Sequence, residues 1–237
     1  MIKAVFFDLD GTLLPMDMER FIRGYFGRLS EKIAKHGYDR RAFVGAVWAA
    51  SDAMVKNDGS RLNEEAFWDA FSSILGEGIK AHIPEFDAFY RDEFDAVKDD
   101  VGFNPDARRA IDLVHRLGLR CVLATNPLFP STATEHRIKW AGLEMSDFEL
   151  FTSYENSGFC KPNPDYYRDL LRRLDLTPEE CLMVGNDVEE DMIARDLGMK
   201  VFLVTDCLIN RGGADISVYP HGNLADLMSY LEEVVGK

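Results

Sequence analysis

Four short stretches of this chain carry groups that can do chemistry together. The first is Asp8-Leu9-Asp10-Gly11-Thr12, two carboxylates one residue apart after a largely apolar run. The second is Leu123-Ala124-Thr125-Asn126, where a hydroxyl closes an apolar run. The third is Cys160-Lys161-Pro162, an ammonium in a loop ahead of a helical pattern. The fourth is Met183-Val184-Gly185-Asn186-Asp187, with Asp191 one helical turn further on. At an effective dielectric of about 20, two like charges ~4 Å apart cost roughly 4 kcal/mol, so a carboxylate pair kept together implies a cation or a proton beside it.

These groups suit phosphoryl transfer. A carboxylate attacks phosphorus, as in aspartyl-phosphate chemistry. A divalent cation offsets its repulsion from the anionic substrate, and hard oxygen ligands with one or two carboxylates are what Mg²⁺ prefers. A hydroxyl and a lysine hold the phosphoryl oxygens and stabilise charge in the transition state. A second acid protonates the leaving group and then takes a proton from water.

For that to happen, four distant segments must meet, and the apolar runs say how. Residues 4–8, 120–125, 148–152, 181–185 and 200–205 read as buried strands, with helical patterns between the later ones. Asn104-Pro105-Asp106 reads as a helix N-cap, a first-turn proline and a first-turn acid, and Gly118 as the stop. Residues 165–174 and 189–197 read as further helices. Strand alternating with helix predicts an α/β fold, a doubly wound, Rossmann-like parallel sheet with right-handed crossovers. In such sheets ligands bind beyond the carboxyl ends of the strands, where all four stretches fall.

Between the first and second strands the texture changes. Residues 16–99 show no strand pattern but recurrent helical periodicity, punctuated at Gly37, Asn57-Asp58-Gly59 and Gly76. Four helices are expected there, as an all-α cap domain over the sheet edge, with 1–15 and 100–237 forming the core domain. Phe21, Trp48, Phe67 and Trp68 are expected to form the cap's own core, with one or two of them lining a substrate pocket. Arg20 and Arg23 are expected to be solvated.

The four motifs, in this order, resemble the haloacid dehalogenase-like superfamily, specifically its Mg²⁺-dependent phosphohydrolase branch with a helical type 1 cap. That resemblance implies Asp8 as nucleophile and Asp10 as general acid/base. It implies Thr125 and Lys161 as phosphate-binding catalytic residues, with Asn126 beside them. Mg²⁺ is implied to lie on Asp8, the backbone carbonyl of Asp10 and an acid of the fourth motif. Family members commonly read Gly-Asp-Ser there. Here Asn186 follows the glycine, so Asp187 is expected as the ligand, with Asn186 or Asp191 as alternatives. The dehalogenase branch lacks an acid at the position of Asp10, which favours phosphate chemistry. The expected function is hydrolysis of a small phosphorylated metabolite. A phosphomutase of the same superfamily and a non-enzymatic phospho-aspartate switch are the rival readings.

The chain has 237 residues, 27 basic and 41 acidic, for a formal net charge of -14. That balance disfavours nucleic acid and anionic membrane surfaces, both of which need basic patches. No segment reads as a signal peptide or as the ~20 apolar residues that span a bilayer, so a cytoplasmic location is expected, and no protein partner is implied. The cysteines form no Cys-x-x-Cys pair and read as reduced thiols. The five histidines show no ligand spacing and receive no role.

Overall fold

The computed structural model describes residues 1–235; the last two residues of the expected 100–237 segment lie outside that range. Among the described residues one parallel sheet contains β1 (Ala4–Phe7), β2 (Arg120–Leu123), β3 (Leu150–Phe151), β4 (Cys181–Gly185), β5 (Lys200–Val204) and β6 (His221–Gly222). Their spatial order is β3-β2-β1-β4-β5-β6, all parallel. The chain starts in the middle and winds outward both ways, the doubly wound topology expected.

Alternation decides what each strand residue touches. Val5, Phe7, Leu123, Leu182 and Val184 join one apolar layer, under α5 (Pro105–Arg116) and α8 (Leu224–Val235). Ala4, Phe6, Val122, Cys181 and Met183 join the other, under α7 (Pro164–Leu174). Every residue of β1 is fully buried because it has strands on both sides and helices on both faces. The same device starts α5 and α7. Asn104 accepts from the Asp106 N–H and Asn163 from the Asp165 N–H, each with proline at the first helical position.

Several elements differ from expectation. β1 and β2 end one and two residues early, so Asp8 and Thr125 stand just past the ladder, free to turn their side chains to one point. Residues 189–197 make only a 3-10 helix, Met192–Leu197. The Asp187 carboxylate accepts from the N–H groups of Glu189 and Glu190 and holds the chain in a tight turn before it. The sequence reading also lacked β6, α8 and α6 (Ser131–Trp140).

From Met18 to Asp100 the chain is helical. It forms α1 (Met18–Ala34), α2 (Arg40–Val55), α3 (Asn63–Leu75), a 3-10 helix Glu77–His82 and α4 (Ile83–Ala88). The expected fourth helix is broken after α4. A π-helical turn, Phe89–Glu93, leads into a 3-10 helix, Phe94–Asp100. The Phe94 N–H reaches back five residues to the Phe89 carbonyl. This wider turn lets Phe86, Phe89 and Phe94 all be buried, which a regular helix spaces less well. The segment leaves and returns at one neck, where Met16 and Val101 form an antiparallel bridge and the Gly102 N–H donates to the Pro15 carbonyl at 2.8 Å. The start of α3 makes a second attachment, with the Asn63 and Glu64 N–H groups donating to Ser157 and Tyr154 carbonyls.

An aromatic seam joins the insertion to the sheet layers. Phe94 stacks on Trp140 of α6 with centroids 5.2 Å apart, and meets Phe21 and Phe129 edge-on or tilted at 6.4 and 6.3 Å. Phe94→Ala is expected to cost about 3–5 kcal/mol of folding stability by urea denaturation. A loss under about 1 kcal/mol would mean that the seam carries little of the join.

Candidate active site

The topology brings the expected residues to one edge. Asp8 and Asp10 follow β1, Thr125 follows β2, and Asn186 and Asp187 follow β4, whose strands are adjacent. Lys161 arrives on the loop before α7. Asp8, Asp10, Thr125, Asn126, Asn186, Asp187 and Asp191 line a single cavity of about 350 Å³ between the sheet edge and the helical insertion.

Its floor is built around a buried ammonium. Lys161 Nζ lies 2.9 Å from Asp8 Oδ1 and 2.6 Å from Asp191 Oδ1, and is 1 % exposed. Burial works against its charge, but Asp191 and Asp8 outweigh that and hold the ammonium well above the ordinary lysine value. Burial pushes the Asp191 carboxyl up to about 7, against the pull of Lys161. The loop is clamped at both ends of the lysine by one side chain. Asn126 Oδ1 accepts from the Lys161 N–H at 3.2 Å and its amide donates to the Lys161 carbonyl at 3.4 Å. The amide also donates to Glu190 at 3.0 Å, so Asn126 positions the lysine loop.

The other Asp8 oxygen, Oδ2, lies 3.2 Å from the Thr12 hydroxyl, which is also 3.1 Å from Asn186 Oδ1; its one proton serves either. Gly11 permits this. Its φ is +88°, and a Cβ there would fall 2.2 Å from Asn186 Nδ2. At Gly185 a Cβ would fall 2.1 Å from Asp191 Oδ2, so the β4 glycine makes room for the acid that pairs with Lys161.

Asp187, the expected metal ligand, points elsewhere. Its Oδ1 caps the Glu189 and Glu190 N–H groups and its Oδ2 takes a bond from Arg211 at 2.7 Å. Asn186 is linked to Asp8 through the Thr12 hydroxyl that both face.

Arg137 was absent from the sequence reading. It is 1 % exposed, on α6, with its guanidinium over the Phe129 ring at 4.6 Å. It donates to the carboxylate of Asp10 and to Thr134 Oγ1. Burial raises the Asp10 carboxyl above its ordinary value, and Arg137 only partly offsets this. A signal was present: Arg137 falls on the helical stripe Ala133, Thr134, Ile138 and Ala141, where a basic residue needs a buried partner.

Above this floor the cavity is aromatic. Phe21, Trp48, Phe67 and Trp68 all line it, where one or two were expected. Arg20 is exposed, as expected, and pairs with Asp100, and none of the five histidines lines the cavity.

The Lys161 pair gives a test. Lys161→Met strips the counter-charge from two buried carboxylates, which is expected to cost about 3–5 kcal/mol at pH 8. A carboxyl that titrates higher folded than unfolded keeps an extra proton in the folded chain, so stability falls as pH climbs through that window. Without the lysine Asp191 rises further, so the variant loses more with pH than the wild type does. The gap between the two in urea melts is expected to narrow from pH 8 to pH 5.5. A gap that is constant with pH would place the cost elsewhere.

Residues 2–198 match the haloacid dehalogenase-like hydrolase family. The chain is 25% identical over 247 residues to ribulose-1,5-bisphosphate 5-phosphatase of Halopiger xanaduensis, covering 97% of this chain and 100% of that protein. It is 26% identical over 246 residues to phosphoglycolate phosphatase of Vibrio parahaemolyticus, covering 99% and 96%. Among solved structures it resembles 2-haloacid dehalogenase from Pseudomonas syringae pv. Tomato, with a TM-score of 0.64 at 19% identity and coverage of 99% and 100%, a likeness of fold alone. The family match spans β1 to β4, the insertion and every motif of the floor, and the chain belongs to the haloacid dehalogenase-like hydrolases.

Proposed function

We propose that the chain is a Mg²⁺-dependent phosphatase that hydrolyses a phosphomonoester through an aspartyl-phosphate on Asp8. One observation carries this reading. A carboxylate held by a buried lysine, a second carboxylate two residues on and a strand-end hydroxyl share one aromatic-walled cavity. Phosphatases among the relatives support it.

The steps follow from the groups. Asp8 attacks phosphorus, and the bond to the leaving oxygen breaks. Asp10, which burial favours in its protonated form, gives its proton to that oxygen. The Asp10 carboxylate then takes a proton from water. The water oxygen attacks phosphorus, the bond to Asp8 breaks, and phosphate leaves. Lys161 and Thr125 hold phosphoryl oxygens in the low-dielectric floor. Arg137 keeps Asp10 aimed during both transfers.

The residues fit a divalent cation. Asp8, Asp10, Asp187, Glu190 and Asp191 line the cavity, against Lys161, Arg137 and Arg211 on the same acids. The buried Asp10 Oδ1 has no hydrogen-bond partner. Mg²⁺ would lie on Asp8, the Asp10 backbone carbonyl and the Asn186 amide oxygen, and would neutralise charge between Asp8 and the phosphoryl group. This reading takes Asn186 in the place expected for Asp187, since Asn186 shares the Thr12 hydroxyl with Asp8 while the Asp187 carboxylate is paired with Arg211. The four free thiols and the acidic surface favour a cytoplasmic enzyme, and no described helix is long and apolar enough to cross a membrane.

Asp8→Asn is expected to lower phosphate release by at least roughly 1,000-fold while leaving the circular dichroism spectrum unchanged. Chelation by EDTA is expected to abolish release and added Mg²⁺ to restore it. Full activity in Asp8→Asn, or release of chloride from 2-chloropropionate in place of phosphate from esters, would overturn the reading.

A further inference from the structure

We propose, resting on that phosphatase reading, that the leaving group is a bulky, uncharged aromatic alcohol and not a second anion. The cavity walls carry the argument. Phe26, Trp48, Phe67, Trp68, Phe86 and Tyr90 line it above the acids. Among the described residues the insertion contributes no charged side chain to the cavity. Its polar atoms there are few and uncharged: the hydroxyls of Tyr25 and Tyr90, which bond each other at 2.5 Å, the Ser51 hydroxyl and the indole N–H groups of Trp48 and Trp68.

The floor has no cation to spare for a second anion. Lys161 is bound to Asp8 and Asp191, and Arg137 to Asp10. Arg211, the one described cation lining the cavity, is bound to Asp187 at 2.7 Å. A substrate with a carboxylate or a second phosphate beyond its ester oxygen would lose its water against aromatic rings and meet no free counter-charge. An aromatic group gains there instead, by apolar burial and edge-to-face contact. Two apolar side chains lining the cavity are still open to solvent, Trp48 at 51 % and Met18 at 40 % exposure.

The test compares esters of similar leaving-group chemistry: 2-phenylethyl phosphate, ethyl phosphate and 2-phosphoglycolate. The expected kcat/KM for 2-phenylethyl phosphate exceeds that for either of the others by roughly 30-fold or more, the scale of burying one aromatic side chain. In Trp48→Ala, whose side chain is half-exposed, the ratio of 2-phenylethyl to ethyl phosphate is expected to fall about 10-fold. Calorimetry on the inert Asp8→Asn chain reads binding alone, and there too 2-phenylethyl phosphate is expected to bind more tightly than 2-phosphoglycolate. Turnover with 2-phosphoglycolate preferred, or a ratio unmoved by Trp48→Ala, would overturn the proposal and leave the phosphatase standing. Preferred binding of 2-phenylethyl phosphate with no phosphate released from any ester would overturn the phosphatase reading and leave the ligand class standing.

Discussion

The site depends on one buried cation. Lys161 sits between Asp8 and Asp191, all three nearly sealed from water, and without it two carboxylates would face each other in a low dielectric. Much of the surrounding architecture serves that ammonium. Asn163 caps α7 two residues on and fixes the loop. Asn126 grips the lysine backbone on both sides. Tyr166 places its ring 5.9 Å from Nζ, and its hydroxyl donates to the Thr125 carbonyl, so Lys161 and Thr125 share one support. Gly185 leaves the space that Asp191 occupies.

Floor and roof have opposite chemistry, and each sharpens the other. The floor is a lattice of charge and hydrogen bonds, and the roof is aromatic. Apolar walls exclude water and lower the local dielectric, which strengthens the interactions of Asp8, Asp10 and Lys161 with a reacting phosphoryl group. Burial is the leading cause of the raised carboxyls of Asp10, Asp191 and Glu190, of which Asp191 is pushed up to about 7.

The parts legible in the sequence were those set by local pattern. β1 could be read because every residue from Ala4 to Phe7 is buried on both faces, and α5 and α7 because each opens on Asn-Pro-Asp. Asp8, Thr125 and Lys161 stood out because chemistry-bearing residues interrupt or follow apolar runs. Arg137 did not, because its role depends on a partner 127 residues away and α6 has a weak apolar stripe. What the Asp187 carboxylate holds was hidden for a different reason: its bonds from Arg211 and from the N–H groups of Glu189 and Glu190 are contacts that no spacing rule reveals. The cap aromatics read as core because periodicity reports that a face is apolar and not what covers it.

The neck at Met16 and Val101 has a consequence for descent as well as for shape. The insertion departs and returns at adjacent backbone positions, between β1 and α5. Among the described residues the strand that seats Asp8 pairs only with β2 and β4, so a change within the inserted helices leaves that pairing register as it is, and the walls of the cavity can vary while its floor stays fixed.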